Sequence, residues 1–266
     1  MVFDLVLLAA GEGSRLRPFG PKPLVSFLGE RMVDFPILRF LSFMEKRKES
    51  FFISVIVGNQ AEAVKEHLLE RFSAYASHFR FIVQEERKGT GHALFCYETQ
   101  IAAYPQSQQG DILFVASSDT PLLESFHYEE MMKHKSMAIA ATFEARDSSG
   151  LGRIVRKKTS FSIVEEKEAS LEEQKIREVN AGFYLFHRSY LQEHISVVMK
   201  KKNKSKEFYL TDIFQGGSSE MALNFKEDNS FFGVNDLSQL QEAEDLARKR
   251  KLFSLMKQRL LEKTFF

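Results

Sequence analysis

One cysteine, Cys96, is all the thiol that this chain of 266 residues carries. That scarcity excludes an intrachain disulfide and a cysteine-built zinc cluster, and it fits a reducing cytoplasm. Cys96 itself reads as a small buried apolar residue on a helix rather than a nucleophile. Long apolar runs are also missing, since no uninterrupted stretch reaches the ~18 residues that a membrane helix needs. The apolar amino terminus has no Lys or Arg ahead of it and carries Asp4 within it, so it is not expected to act as a secretory signal. Charge of one sign is lacking as well. With 37 basic against 36 acidic residues, the net charge of +1 argues against a polyanion such as nucleic acid as general partner while leaving room for a local basic site. No internal repeat, P-loop pattern, Cys–His pair or Ser–His–Asp arrangement is found in the sequence.

What is present is alternation. Val2 to Leu8 forms a near-continuous apolar run, as in a strand buried on both faces. Similar runs occupy 51–57, 79–83, 111–117 and 137–143, with helical periodicity over about 33–47, 60–72, 90–103 and 124–135. This pattern predicts an α/β fold, a mostly parallel sheet flanked by helices, with ligands outside the carboxyl ends of its strands. From residue 150 the strands shorten to "GRIVR", "FSIVEEK" and "VNAGFYLF", expected to complete the sheet and cover a pocket mouth. The lysine-rich segment 199–207 reads as a solvated, mobile surface loop, because no aromatic residues interleave with its charges. We place one domain at 1–236 and a helical tail at 237–266. The tail's apolar positions run from Leu240 through Leu246, Leu252 and Leu255 to Leu261. It is expected to pack on the domain, with an oligomer contact as the alternative.

The densest chemistry lies in "LLAAGEGSRLRPFGPKPL", residues 7–24. Gly11 and Gly13 permit a bend that turns backbone N–H groups toward an anion. Arg15, Arg17 and Lys22 supply positive charge, and prolines 18, 21 and 23 stiffen the loop around Lys22. A tight turn with exposed charges is the plain alternative for any bare G-x-G. The third glycine of a dinucleotide fingerprint is absent.

"LAAGEGSRL…PK" resembles the signature loop of the sugar-1-phosphate nucleotidyltransferases. It is most similar to the uridyltransferase domain of the bacterial bifunctional N-acetylglucosamine-1-phosphate uridyltransferase/glucosamine-1-phosphate acetyltransferase. The likeness recurs in order at "VQEERKGTGHA" (83–93), "SSDTPLL" (117–123), "GLGRIVR" (150–156), "IVEEKEA" (163–169), "IREVNAGFYLF" (176–186), "EFYLTDIF" (207–214) and "GVNDLSQLQEAE" (233–244). The resemblance implies a Rossmann-like nucleotidyltransferase fold of the glycosyltransferase-A type. It also implies transfer of UMP from UTP to N-acetylglucosamine-1-phosphate, releasing pyrophosphate.

By the same resemblance, the backbone from Leu8 through Ala9 and Ala10 to Gly11 contacts uridine, with Gly13 and Ser117 close by. Arg15 and Lys22 hold the triphosphate, Arg15 as a bidentate fork and Lys22 as a point charge. Asp119 and Asn235 are the implied Mg²⁺ ligands, two protein oxygens sufficing for an ion that keeps water and phosphate in its shell. On the residues alone, Asp119 could be a turn or cap residue before Pro121, and Asn235 an Asx-turn residue. Asp236 is expected to cap the tail helix. Gln84, Gly89 and Thr90 stand where the family reads uracil, with Thr90 also expected to cap a helix and His92 to be structural. Gly152, Glu165, Lys167 and Asn180 form the implied sugar-binding set, whereas Glu166 is read as surface.

Three departures stand out. Ser118 replaces the family's usual Gly before Asp119 and could demand a different backbone angle. Ala181 replaces a common Thr. The chain ends at Phe266 without the hexapeptide repeats of the acetyltransferase half, so that activity is not expected of it. The alternatives are transfer to another sugar-1-phosphate or from another base, or a non-catalytic nucleotide-sugar-binding regulator.

Overall fold

The computed structural model describes residues 1–11, 13–58, 61–201 and 206–263. Residues 12, 59–60, 202–205 and 264–266 lie outside the described residues, as do the side chains of Arg17 and 252–263, so the centre of the lysine-rich loop and the distal tail positions are not placed.

Strand β1 (Val2–Leu8) leads into 3-10 turns rather than an α-helix, followed by the short hairpin β2 (Ser26–Phe27) and β3 (Glu30–Arg31). Next come α1 (Asp34–Glu45), β4 (Ser50–Val57), α2 (Ala61–Arg71), β5 (Phe79–Val83) and α3 (Thr90–Ile101). Then follow β6 (Ile112–Ser117), α4 (Ser125–Met131), β7 (Ala138–Glu144), β8 (Arg153–Arg156) and β9 (Phe161–Val164). The chain closes with β10 (Glu178–His187), α5 (Arg188–Val198), β11 (Glu220–Asn224) and α6 (Leu237–Lys263).

The main sheet runs β11-β7-β10-β6-β1-β4-β5, with β8 and β9 branching from β10. Strands β6, β1, β4 and β5 are mutually parallel, and β11 is parallel to β7. The long β10 runs antiparallel to both β6 and β7. Apolar runs sit where both sheet faces are covered: Phe3, Leu5 and Leu7 of β1 face one core, and Val6 faces the other. Helix α1 buries Ile37, Phe40, Leu41 and Met44, the i, i+3, i+4, i+7 stripe of an amphipathic helix. Each such side chain contributes about 1.5–3 kcal/mol when fully buried.

A third, smaller core does the positioning that matters for function. Leu16, Val25, Phe27 and Met32 from the segment after β1 pack with Val234, just before α6, and with Leu240 and Ala243 from its first turns. The glycine-proline loop is thereby bolted to a segment more than 200 residues away in sequence. The proximal tail helix thus lies against the domain. Asp236 caps it, its Oδ1 accepting the Gln239 N–H at 2.9 Å.

Some expectations need correction. Helix α4 stops at Met131, short of 135, and α5 and β11 occupy stretches for which the sequence pattern predicts no element. Neither announces itself: β11 has a single buried position, Ala222, and Gln192, Glu193 and Glu220 punctuate the pattern. Ser118 sits buried without a left-handed backbone angle, and its N–H donates to the Leu8 carbonyl at 3.1 Å. The side chain is accommodated without the strain anticipated at that position.

Candidate functional site

A cavity of about 540 Å³ opens where β1, β5, β6 and β10 meet. Leu8, Ala10, Gly11 and Ser117 form its floor at the carboxyl ends of β1 and β6. Gln84, Gly89 and Thr90 line it from the loop between β5 and α3, and Glu165 and Asn180 from β9's end and β10. Nine residues singled out from sequence are thus gathered around one space.

Ala9 is not among them. Its side chain points into the core and its N–H is spent on the Ile56 carbonyl at 2.9 Å, so the alternation of the strand turns it away from the cavity. Asn180 lies inside β10 rather than beyond it, where the register against β7 shifts between Asn180 and Tyr184. That irregularity aims its amide at the cavity. Asn180 Nδ2 donates to the Tyr184 hydroxyl at 2.6 Å, and its Oδ1 accepts the Gly182 N–H at 3.2 Å.

Glu165 is held by Thr211, whose hydroxyl donates to Oε1 at 2.7 Å. Burial pushes the Glu165 carboxyl up, against the pull of that hydrogen bond. Gly152 stays outside the lining but serves it: a Cβ there would lie 3.1 Å from Ile163 and 3.5 Å from the Glu165 carboxylate. Its carbonyl also accepts the Asn180 N–H at 2.8 Å, so one glycine keeps both polar side chains in register. Lys167 is largely exposed and does not itself line the cavity, but it faces Glu207, a lining residue, at 3.7 Å. Glu166 is not free surface: it pairs with the buried Arg153 at 2.6 Å.

Beside the cavity lies a charged corner. Lys22 Nζ contacts Asp119 Oδ2 and donates to Asn235 Oδ1 at 2.8 Å, all in a part-buried setting. Three segments converge because the Val234 N–H donates to the Asp119 carbonyl at 2.9 Å. Gly13, at φ +55, is required here, since a Cβ would sit 2.5 Å from Lys22 Cβ. Two hard oxygen donors already converge on a single cation, the Lys22 ammonium, so the donor set fits a divalent ion. Among the described residues no cluster of three or more His, Cys, Asp or Glu could hold a metal. Arg15 is mostly exposed and pairs with Asp236 at 3.2 Å, next in sequence to Asn235 but away from the cavity lining.

Thr90 does not cap α3. Gly89, at φ +102, takes that place, and the Thr90 hydroxyl accepts the Leu210 N–H at 3.0 Å. Cys96 is partly exposed rather than buried, and its Sγ lies 3.7 Å from His92 Nε2, so a Cys–His pair does exist at i, i+4 spacing. Burial pushes the thiol up, which is the opposite of an activated nucleophile. Sequence reasoning missed Tyr184, Tyr209 and Thr211 as cavity residues, although "EFYLTDIF" and "NAGFYLF" carried the signal.

The chain is 31% identical over 95% of its length to the bifunctional protein GlmU of Fervidobacterium nodosum, covering 52% of that protein. It is 31% identical to the GlmU of Helicobacter pylori (94% of this chain, 55% of that one) and 35% identical to that of Prochlorococcus marinus (93% and 52%). The chain therefore spans about half the length of the curated relatives it matches. Its fold matches a Bacillus anthracis structure described as a glucose-1-phosphate thymidylyltransferase, with TM-score 0.65 and 19% identity over 92% of this chain and 95% of that one. The family profile described as Nucleotidyl transferase matches residues 5–246, and the chain belongs to that family.

Proposed function

We propose that this cavity transfers UMP from UTP to N-acetylglucosamine-1-phosphate, giving UDP-N-acetylglucosamine and pyrophosphate. The observation that carries the reading is the meeting of Lys22, Asp119 and Asn235 beside a cavity whose far wall holds Glu165 and Asn180. One end suits a triphosphate and the other suits sugar hydroxyls and an N-acetyl amide.

The bond-making step needs no covalent intermediate. A sugar-phosphate oxygen attacks the α-phosphorus, the bond from that phosphorus to the bridging oxygen breaks, and pyrophosphate leaves with the electron pair. Lys22 would place its ammonium against the triphosphate, where developing charge is greatest. Asp119 and Asn235 would hold Mg²⁺, which supplies charge neutralisation and orientation of the phosphates when bound. Gln84 would read the base, and Glu165 and Asn180 would orient the sugar so that its phosphate lies in line. Arg15 would serve the triphosphate only after leaving Asp236, an exchange of one surface pair for a bidentate phosphate contact.

No helix among the described residues is long and apolar enough to cross a membrane. We place the enzyme in the cytoplasm, where UTP and sugar phosphates are available, with these small molecules as its partners and neither nucleic acid nor membrane among them. An oligomer contact through the C-terminal helical tail is compatible with that placement.

A pyrophosphate-release panel tests the reading by crossing UTP, CTP, dTTP and GTP with several sugar-1-phosphates, with and without Mg²⁺. The expected result is Mg²⁺-dependent release that is highest for UTP with N-acetylglucosamine-1-phosphate. Nucleotide binding without release in any pairing would establish a regulator instead.

A further inference from the structure

The Gln84 amide, 4% exposed, is committed on one side only. Its Nε2 donates to the Gly89 carbonyl at 3.1 Å and faces His92 Nδ1 at 3.1 Å. A backbone carbonyl can only accept, so the atom beside Gly89 must be the amide nitrogen. Both of its N–H groups are then spent, and the atom left to meet a ligand in the cavity is Oε1. For the second N–H to be accepted, His92 Nδ1 must be unprotonated and its proton must sit on Nε2, the nitrogen that lies 3.7 Å from Cys96 Sγ.

We propose that His92 is a specificity-positioning residue: it locks the Gln84 amide with its oxygen toward the base, so that the site accepts an N–H at the base edge. This rests on the uridylyltransferase reading above and deepens it. Uracil and thymine present such an N–H between two carbonyls. Cytosine presents a bare ring nitrogen at the same place, which would meet Gln84 Oε1 lone pair against lone pair. A protonated His92 would donate from both nitrogens, oppose the amide N–H, and release the lock.

The groups facing the imidazole are Lys88, Glu85 and Glu86 from the loop before α3 and Cys96 from its own helix. Burial and Lys88 hold its titration below the ordinary imidazole value, while the Glu86 backbone and carboxylate work the other way. The neutral ring therefore persists through neutral pH.

The experiment measures kcat/KM for UTP and for CTP on wild type, His92→Leu and His92→Asn. In His92→Leu, which keeps bulk but has no acceptor, the UTP:CTP ratio falls about tenfold, the size of one lost hydrogen bond. The loss appears in KM for UTP, because the base is remote from the reacting phosphorus. His92→Asn, whose Oδ1 can accept, restores most of the ratio. In wild type the ratio falls as pH drops through the His92 titration, whereas in His92→Asn it stays flat over that range. A His92→Leu enzyme with the wild-type ratio, or a wild-type ratio flat across that titration, overturns the role of His92 and leaves the uridylyltransferase reading intact. A wild type that releases pyrophosphate from neither UTP nor dTTP overturns both.

Discussion

The two ends of β1 hold charge in opposite ways. At the amino end, Asp4 is fully buried and takes hydrogen bonds from Ser54 at 3.0 Å, Tyr97 at 2.8 Å and Arg80 at 3.4 Å. Arg80 is itself buried, stacked 3.4 Å over the Phe52 ring. Burial pushes the Asp4 carboxyl up, with Arg80 opposing. At the carboxyl end, Lys22, Asp119 and Asn235 form a part-buried trio beside an open cavity. The first set is shut off from solvent, with the partners of Asp4 supplied by β4, β5 and α3. In the second, an ammonium on a flexible stem occupies a place that a metal or a phosphate could take. A charge whose partner can be exchanged is poised for a ligand, and a charge whose partners cannot be exchanged is structural.

The sharpest way to break this comparison is at the closed end. Asp4→Ala leaves Arg80 buried without its carboxylate, and denaturant unfolding should show a loss of about 3–5 kcal/mol. Turnover per folded molecule should be unchanged, since the network lies at the far end of the sheet. At the open end the pattern reverses. Lys22→Ala should lower kcat about 10²-fold in a pyrophosphate-release assay, with unfolding free energy within about 1 kcal/mol of wild type. Glu165→Ala should raise KM for the sugar-1-phosphate about tenfold while leaving KM for UTP near wild type, which separates the sugar wall from the triphosphate corner.

The smallest effect concerns Asp228, between β11 and α6. Its carboxylate meets His127 Nε2 at 2.9 Å and accepts the Ser230 N–H at 2.8 Å. Burial alone would raise it, but the hydrogen bonds from His127 and Ser230 bring it down to about 2. A carboxyl lower in the folded state than in the unfolded chain adds stability above its unfolded value, and that stability is lost as pH falls from about 4 to about 2. Asp228→Asn should therefore cost about 1 kcal/mol at neutral pH, and the difference should vanish near pH 2. Stability curves of the two proteins against pH check this.

What the sequence made legible follows the same division between local and distant causes. The runs at 51–57, 79–83, 111–117 and 137–143 emerge as β4 to β7 within a residue or so, because burial on both faces writes a continuous apolar signal. Gln84, Glu165 and Asn180 were found through their motifs, and the cavity gathers them. Thr211 and Tyr184 lie in stretches that carry the family likeness, but no local pattern says that their hydroxyls meet Glu165 and Asn180. Thr90 was read as a cap from local chemistry, yet a contact with Leu210, 120 positions away, claims its hydroxyl. The Ala9 side chain turns into the core while its neighbours Leu8 and Ala10 line the cavity, a difference set by local backbone direction. Local patterns carried the elements; the long-range closures that aim side chains did not show.

The corner of Lys22, Asp119 and Asn235 is proposed to receive a metal-bound triphosphate. Calorimetric titration of UTP into wild type and Asp119→Ala, each with and without Mg²⁺, tests it most directly. The predicted result is that Mg²⁺ tightens UTP binding to the wild type and that this gain disappears in Asp119→Ala. An equal gain from Mg²⁺ in both proteins would contradict it.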